Sequence, residues 1–154
     1  MERSKARLTS EQFMSMLLPL LEEKRDVEIT VAGNSMFPLW KHGRDRVTLT
    51  CCDKDTLRKG DIPLYRRHTG QLVLHRIVRV SKCGYDMCGD GQDRVERHVP
   101  KDNVIAVVKS FTRKNKTYSC EYVPYRVFVA LWLTLLPFRS FALRSIRVWR
   151  RWIL

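Results

Sequence analysis

The chain has 154 residues, of which 44% are hydrophobic and 29% charged, with only seven Gly and six Pro. This composition excludes a disordered, collagen-like or low-complexity protein, and the length fits one globular domain with a modest core. The net charge of +13, from 29 Lys and Arg against 16 Asp and Glu, favours an anionic partner but does not choose between a membrane surface and a nucleic acid.

The cysteine pattern and the N-terminus constrain the chain further. The cysteines are odd in number and include no C-x-x-C pair, which argues against a disulfide framework and a structural zinc site. We expect reduced thiols that serve mostly in packing. No apolar stretch directly follows the basic residues of MERSKARLTSEQ, so we expect no secretory signal peptide. The five cysteines are Cys51, Cys52, Cys83, Cys88 and Cys120.

The first predicted element is a helix over residues 9–23, with Thr9 as N-cap, Gln12 at the N3 position and Pro19 kinking or ending it. Alternating apolar and polar residues then predict short strands, and short Gly-containing links predict hairpins. This pattern predicts a mainly β fold, an antiparallel β sandwich or partly open barrel. The predicted strands cover residues 27–33, 46–52, 61–67, 72–80, 85–90, 104–113 and 117–123.

The C-terminal segment differs in kind from the rest. Residues 127–138 are apolar but lie between Arg126 and Arg139, and they fall short of the roughly 20 apolar residues that span a bilayer. Residues 139–154 interleave arginines with aromatic and aliphatic residues, which is typical of a helix lying in a membrane interface. We therefore predict an anionic membrane surface as a partner, at the cytoplasmic face. The alternative is a core-packing helix with a solvated basic face.

The predicted division of the chain is an N-terminal helix and link (1–26), a β-rich core (27–122) and a membrane-associating segment (123–154).

Two residues have surroundings that suit acyl-transfer chemistry, in which a serine needs a neighbouring base and donors that hold an oxyanion. Ser35 follows a predicted strand in the turn-forming sequence GNSMFP, where its hydroxyl and its backbone N–H could both face a substrate. His75 lies within LVLHRIVRV on the face of Val73 and Ile77, where partial desolvation keeps an imidazole neutral, as a general base requires. Each has an ordinary alternative: a plain turn for Ser35, and a core histidine bound to backbone for His75. The other histidines, His42, His68 and His98, are expected at the surface.

The sequences VAGNSMFPLW, RKGDIPLY, VLHRIV and CGDGQ follow one another in this order. Together they resemble the ordered boxes of the signal peptidase I superfamily, which contains the signal peptidases and the LexA-like self-cleaving serine peptidases. The pair His75-Arg76 resembles the histidine-base type of archaea and the endoplasmic reticulum. The resemblance covers residues 27–110 and implies Ser35 as nucleophile, His75 as base and Asp90 as the acidic partner, with Asp93 as the alternative acid.

The resemblance also implies a β-rich peptidase that cleaves signal or leader peptides through an acyl-enzyme, with no cofactor and no metal. By analogy the substrate is an extended peptide that adds as a strand beside the site, with small side chains before the cut. Asp45 and Asp61, in the two Gly/Asp-type boxes, are expected to fix turns. One alternative is a catalytically inactive basic module on the same fold that binds membranes or nucleic acid. The other is a self-cleaving repressor-type peptidase. Nucleic acid is the less expected partner because no recognition motif is present, and the repressor type is disfavoured because residues 1–26 are too short for a helix-turn-helix domain.

Overall fold

The computed structural model describes residues 8–153, and within the last helix it describes no side chain at positions 142, 147 and 149–153. The predictions made for residues 1–7 and for the side chains of Trp149 and Trp152 therefore lie outside the described residues. The elements are α1 (Ser10–Glu22), β1 (Val27–Thr30), β2 (Arg46–Thr50), β3 (Pro63–Arg66), β4 (Leu72–Leu74), β5 (Arg76–Ser81), β6 (Gly84–Cys88), β7 (Glu96–Val99), β8 (Val104–Arg113), β9 (Lys116–Ser119), α2 (Val123–Thr134) and α3 (Arg139–Ile153), with short 3₁₀ turns at Lys101–Asn103 and Leu136–Phe138.

Two antiparallel sheets form the body of the protein. The larger sheet has six strands in the order β1-β2-β8-β3-β4, with β9 pairing β8, and it curls into a half-barrel. The smaller sheet has the order β5-β6-β7. The long strand β8 is central because it pairs with β2, β3 and β9. The predicted mainly β class with an early helix is confirmed.

The helices α1 and α2 pack on the larger sheet, each through one face of the helix. α1 begins with a capping box, in which the Thr9 hydroxyl accepts from the Gln12 N–H and the Gln12 side chain accepts from the Thr9 N–H. Its buried residues Leu17 and Leu21 stand four positions apart, on one face of the helix. Pro19 does not end the helix, which continues to Glu22.

The core consists of two clusters of buried side chains. The first lies between the larger sheet and the helices α1 and α2, where Trp40 is fully buried and its ring centroid is 5.8 Å from that of Phe111. The second lies where the two sheets meet, and it includes Tyr65, Ile77 and Met87.

The structure corrects three sequence predictions of strands. Residues 72–80 are two strands in different sheets, β4 and β5, because the chain passes between the sheets at His75. β7 was missed because its residues, ERHV, are mostly polar and exposed and show no apolar alternation. Residues 117–123 form a strand only as far as Ser119, and Val123 already begins α2.

No single helix among residues 8–153 is long and apolar enough to cross a membrane. α2 together with residues 136–146 reaches that length and composition, but the pair is bent by 59°. One face of α2 packs on the core through the buried residues Tyr125, Val129 and Trp132.

The hairpin glycines Gly70 and Gly84 form a matched pair for testing the packing of the smaller sheet. Both have positive φ angles, +83° and +144°, but a Cβ at Gly84 would lie 2.2 Å from the Val99 carbonyl oxygen, whereas a Cβ at Gly70 would meet nothing within 4 Å. We expect Gly70→Ala to lower the free energy of unfolding by about 1–2 kcal/mol, the cost of the left-handed conformation alone. Gly84→Ala should cost at least about 2 kcal/mol more, because β6 must also move away from β7. Urea denaturation of both variants checks this, and equal losses would contradict the close contact of Gly84.

Candidate active site

The loop between β1 and β2 carries Ser35. It is held in place by Gly33, whose φ is +83° and whose N–H donates to His42 Nδ1 at 2.9 Å, and by the buried side chains of Met36 and Trp40. Ser35 is half-buried. Within the described residues neither its Oγ nor its backbone N–H makes a hydrogen bond. The hydroxyl and the backbone donor are therefore both free to contact a bound molecule.

A second loop, residues 89–92 with the sequence GDGQ, packs directly against the Ser35 loop. The Gly91 N–H donates to the Ser35 carbonyl oxygen at 2.7 Å. A Cβ at Gly89 would lie 2.5 Å from the same oxygen, and a Cβ at Gly91 would lie 2.8 Å from the carbonyl oxygens of Asn34 and Phe37. Both positions need glycine because any side chain would push the two loops apart.

Ser35 and His75 line one cavity of about 540 Å³. Its walls include Ile29 and Thr30 of β1 and Leu72 and Leu74 of β4. These strands stand at the two ends of the strand order of the larger sheet, so the curl of the sheet brings its two edges to opposite sides of the cavity. On the cavity side, each of these edge strands has backbone N–H and C=O groups that no neighbouring strand pairs with.

His75 sits at the passage from β4 to β5 and is 1% exposed. Its Nδ1 lies 3.1 Å from the Tyr65 hydroxyl and 3.3 Å from Glu96 Oε1. Burial lowers the pKa of His75 from the ordinary value of 6.5 to about 4, although the charge of Glu96 acts in the opposite direction. The ring is therefore neutral at neutral pH, as predicted for a base. No hydrogen bond joins it to Ser35 Oγ in the part of the chain that the structure describes.

Glu96 of β7 lies beside Nδ1 of His75 and favours a proton on that nitrogen. Burial acts to raise the pKa of Glu96, but hydrogen bonds from Arg67 and Tyr65 outweigh it, so the pKa lies below its ordinary value. Arg67 donates to both carboxylate oxygens, from Nε to Oε2 at 3.0 Å and from Nη2 to Oε1. An ionised carboxylate only accepts hydrogen bonds, so Glu96 favours the tautomer of neutral His75 that carries its proton on Nδ1 and leaves the lone pair on Nε2, with the Tyr65 hydroxyl donating to the carboxylate.

Asp90 does not lie behind His75, and the predicted contact between them is corrected. Its carboxylate is fully buried and accepts two hydrogen bonds from Arg76, from Nε at 2.9 Å and from Nη2 at 2.6 Å. Arg76 also donates to the Gly60 carbonyl oxygen at 2.9 Å and to the Tyr125 hydroxyl at 3.1 Å. With both oxygens engaged in this bidentate pair, Asp90 joins β5, β6 and α2 instead of orienting the imidazole.

The alternative acid, Asp93, is exposed and lines a different cavity, beside Ser140 and Arg144 of α3. Glu96 was missed in the sequence because its position depends on β6 pairing with β7, and β7 has no strand pattern. The only signal was an acidic residue a few positions after the GDGQ box.

The predictions for Asp45, for Asp61 and for the three other histidines agree with the structure. Asp45 accepts from the Lys41 N–H at 2.8 Å and Asp61 accepts from the Arg58 N–H at 2.7 Å, so both fix turns. The three other histidines are exposed. All five cysteines are free thiols, but Cys51 and Cys83 are exposed and do not serve in packing. Among residues 8–153 no group of three or more His, Cys, Asp or Glu side chains could hold a metal ion.

A scan against models of known protein families finds no family that matches this chain, and a search of curated proteins finds no match. The geometry of the cavity therefore carries the argument about function.

The buried pair of Arg76 and Asp90 predicts a large stability effect for Asp90→Asn. The substitution leaves a buried guanidinium without its counter-charge, so we expect the free energy of unfolding to fall by about 3–5 kcal/mol. Asp26→Asn is the matched control, because Asp26 pairs with Lys109 at 2.8 Å on the surface and its loss should cost less than about 1 kcal/mol. Chemical denaturation measures both. An Asp90→Asn protein as stable as the control would show that Asp90 has no structural role.

Proposed function

We propose that this chain is a serine endopeptidase of the signal peptidase type, with Ser35 as nucleophile, His75 as general base and Glu96 as the residue that orients His75. The observation that carries the proposal is the arrangement around the imidazole. Nδ1 of His75 contacts the Glu96 carboxylate and the Tyr65 hydroxyl, and the ring lines the same cavity as Ser35. Nε2 is then the only ring nitrogen left to accept a proton from the serine.

The reaction begins when an extended peptide fills the cavity and brings its scissile carbonyl to Ser35. As Oγ attacks the carbonyl carbon, His75 Nε2 takes the hydroxyl proton, and the new oxyanion accepts from the Ser35 N–H. Since the hydroxyl makes no hydrogen bond to His75 without substrate, it must come within reach of Nε2 in the complex. The imidazolium then gives its proton to the leaving amine, which departs and leaves an acyl-enzyme.

Water completes the cycle. His75 takes a proton from the water as it attacks the ester, and then returns that proton to Ser35 Oγ as the acid product leaves. In both halves the charged imidazolium lies beside the ionised Glu96, which Arg67 keeps in place. This pairing stabilises the imidazolium only when it forms, while burial keeps the resting ring neutral.

Two further features support the signal peptidase type. The boxes around Ser35, Asp61, His75 and Asp90 follow one another in the order of that superfamily. The cavity lies between the edge strands β1 and β4, which suits a peptide that binds as an added strand. We therefore propose signal or leader peptides as the substrate class, with small side chains before the cut as the resemblance implies.

The nucleophile is tested by acylation. A fluorophosphonate should add to the intact protein at Ser35, as peptide mass spectrometry would show, and Ser35→Ala should remove both the adduct and the cleavage of an extended peptide library. Ser4 and Ser145 variants serve as controls for labelling elsewhere. If folded protein neither reacts with the probe nor cleaves any peptide, the proposal fails and a non-enzymatic binding module becomes the better interpretation.

The base is tested through pH. Because only neutral His75 accepts a proton, kcat/KM should stay level as pH falls from 7 to about 5 and should decline only near the lowered pKa of about 4. The free energy of unfolding changes in the same pH range. Below pH 6.5, the ordinary pKa of histidine, the unfolded chain takes up a proton at His75, whereas the folded ring takes it up only near pH 4. The free energy of unfolding therefore falls as the pH is lowered from 6.5 to about 4. Rates must therefore be normalised to the folded fraction. An acid limb centred at 6.5 would contradict the burial of the base.

The role of Glu96 is tested by Glu96→Gln against Asp93→Asn. Glutamine lacks the negative charge that stabilises the imidazolium, and its NH2 group must face either the donors of Arg67 or Nδ1, so kcat should fall by about a hundredfold or more while KM changes little. The exposed Asp93→Asn should keep the activity of the parent protein. Steady-state kinetics with one cleaved peptide compare the two, and the reverse order of effects would reassign the acid.

A further inference from the structure

The C-terminal helices carry an apolar surface that no other part of the described chain covers. Among the exposed apolar side chains of α2, of the turn after it and of the start of α3, six have exposed fractions from 43% to 74%. Those on α2 recur at intervals of four positions, so they form one stripe along the helix. These residues, here called the apolar face, are Val123, Val127, Leu131, Leu135, Phe138 and Phe141.

The segment that carries this surface has charges of one sign. From Tyr122 to the C-terminus the sequence contains six Arg and no Asp or Glu. Among the described side chains, Arg126 and Arg144 are exposed beside the apolar face, and Arg126 has its only ion pair with Glu121, outside the segment. An apolar surface on a segment whose own charges are all positive, with Glu121 and Asp93 as the acidic residues near its two ends, fits an anionic amphiphile better than a second copy of the same basic segment, which would repel it.

The packing of α2 decides how such a surface can meet a bilayer. α2 has 12 residues, which corresponds to about 18 Å of helix, less than the roughly 30 Å of a bilayer core. Its opposite face is part of the core, where Tyr125 and Val129 are buried and the Tyr125 hydroxyl contacts Arg76. Moving α2 into a spanning position would expose the core and the buried Arg76–Asp90 pair, so α2 has to remain on the sheet.

We propose that the apolar face binds the surface of an anionic phospholipid bilayer, with α2 and the start of α3 lying in the interface and not crossing it. The exposed Leu and Phe side chains enter the boundary between headgroups and acyl chains, and the arginines contact the lipid phosphates. The proposal does not depend on the peptidase chemistry. It also places the bilayer near the candidate site, because the buried Arg139 at the start of α3 donates to the carbonyl oxygen of Gly89 at 3.2 Å in the loop that packs on Ser35.

The test is flotation of the full chain with vesicles of phosphatidylcholine containing about one third phosphatidylserine, compared with phosphatidylcholine alone. The variant Leu131→Ser/Phe138→Ser/Phe141→Ser removes three members of the apolar face. Its matched control, Leu8→Ser/Met16→Ser/Val80→Ser, removes three apolar residues that are 50%, 60% and 44% exposed elsewhere. Circular dichroism establishes that each variant is folded before it is compared.

We expect the parent protein to float with the anionic vesicles, less so in high salt, and to bind neutral vesicles much more weakly. The apolar-face variant should bind about tenfold or more weakly, whereas the control should bind as the parent does. Ser35→Ala should also bind as the parent does, so loss of peptidase activity and loss of bilayer binding are separable.

Three results would overturn the proposal. The first is equal binding by the apolar-face variant and the parent. The second is retention of the protein in the bilayer after alkaline carbonate extraction, which would indicate a spanning segment. The third is concentration-dependent self-association without vesicles that the apolar-face variant abolishes, which sedimentation velocity would detect and which would make a second copy the partner.

Discussion

A buried arginine joins the parts of the structure that meet at the candidate site. Arg76 begins β5, binds Asp90 in the loop after β6 through two hydrogen bonds, and donates to the Gly60 carbonyl oxygen and the Tyr125 hydroxyl of α2. Breaking a buried ion pair leaves an uncompensated charge, so the pairing with Asp90 and the two further contacts of Arg76 stabilise one another. The same pair fixes the start of the GDGQ loop, and that loop in turn supports the Ser35 loop through the contacts of Gly89 and Gly91.

The position of His75 follows from the same junction. The residue immediately before Arg76 lies where the chain leaves the larger sheet for the smaller one, so its ring is enclosed by side chains from both sheets. This enclosure lowers the pKa of His75 and brings it against Tyr65 of β3 and Glu96 of β7. One change of sheet therefore produces a neutral imidazole, a carboxylate beside Nδ1 and a place on the wall of the cavity.

The C-terminal segment is less separate from the core than its composition indicates. α2 is apolar on two faces, one packed on the larger sheet through Tyr125 and Val129 and one exposed. α3 begins with Arg139, which is buried against the GDGQ loop and lies 5.3 Å from the centroid of the Trp132 ring. Because of these contacts, whatever binds the exposed face is connected by direct packing to the loops around Ser35.

The sequence by itself determined the mainly β class, the capped first helix and most of the strands, and it pointed to Ser35 and His75, which both line the cavity. These features depend on local chemistry: apolar alternation, a capping box, turn-forming glycines and the order of short boxes. Only the tertiary structure decided which acid meets His75. Asp90 stands in the more recognisable box, but the buried Arg76 is the partner that satisfies both its oxygens, and Glu96 reaches Nδ1 because β7 pairs with β6. The sequence also did not predict that residues 72–80 belong to two sheets. The alternation of apolar and polar residues continues unchanged at the point where the chain leaves one sheet and joins the other.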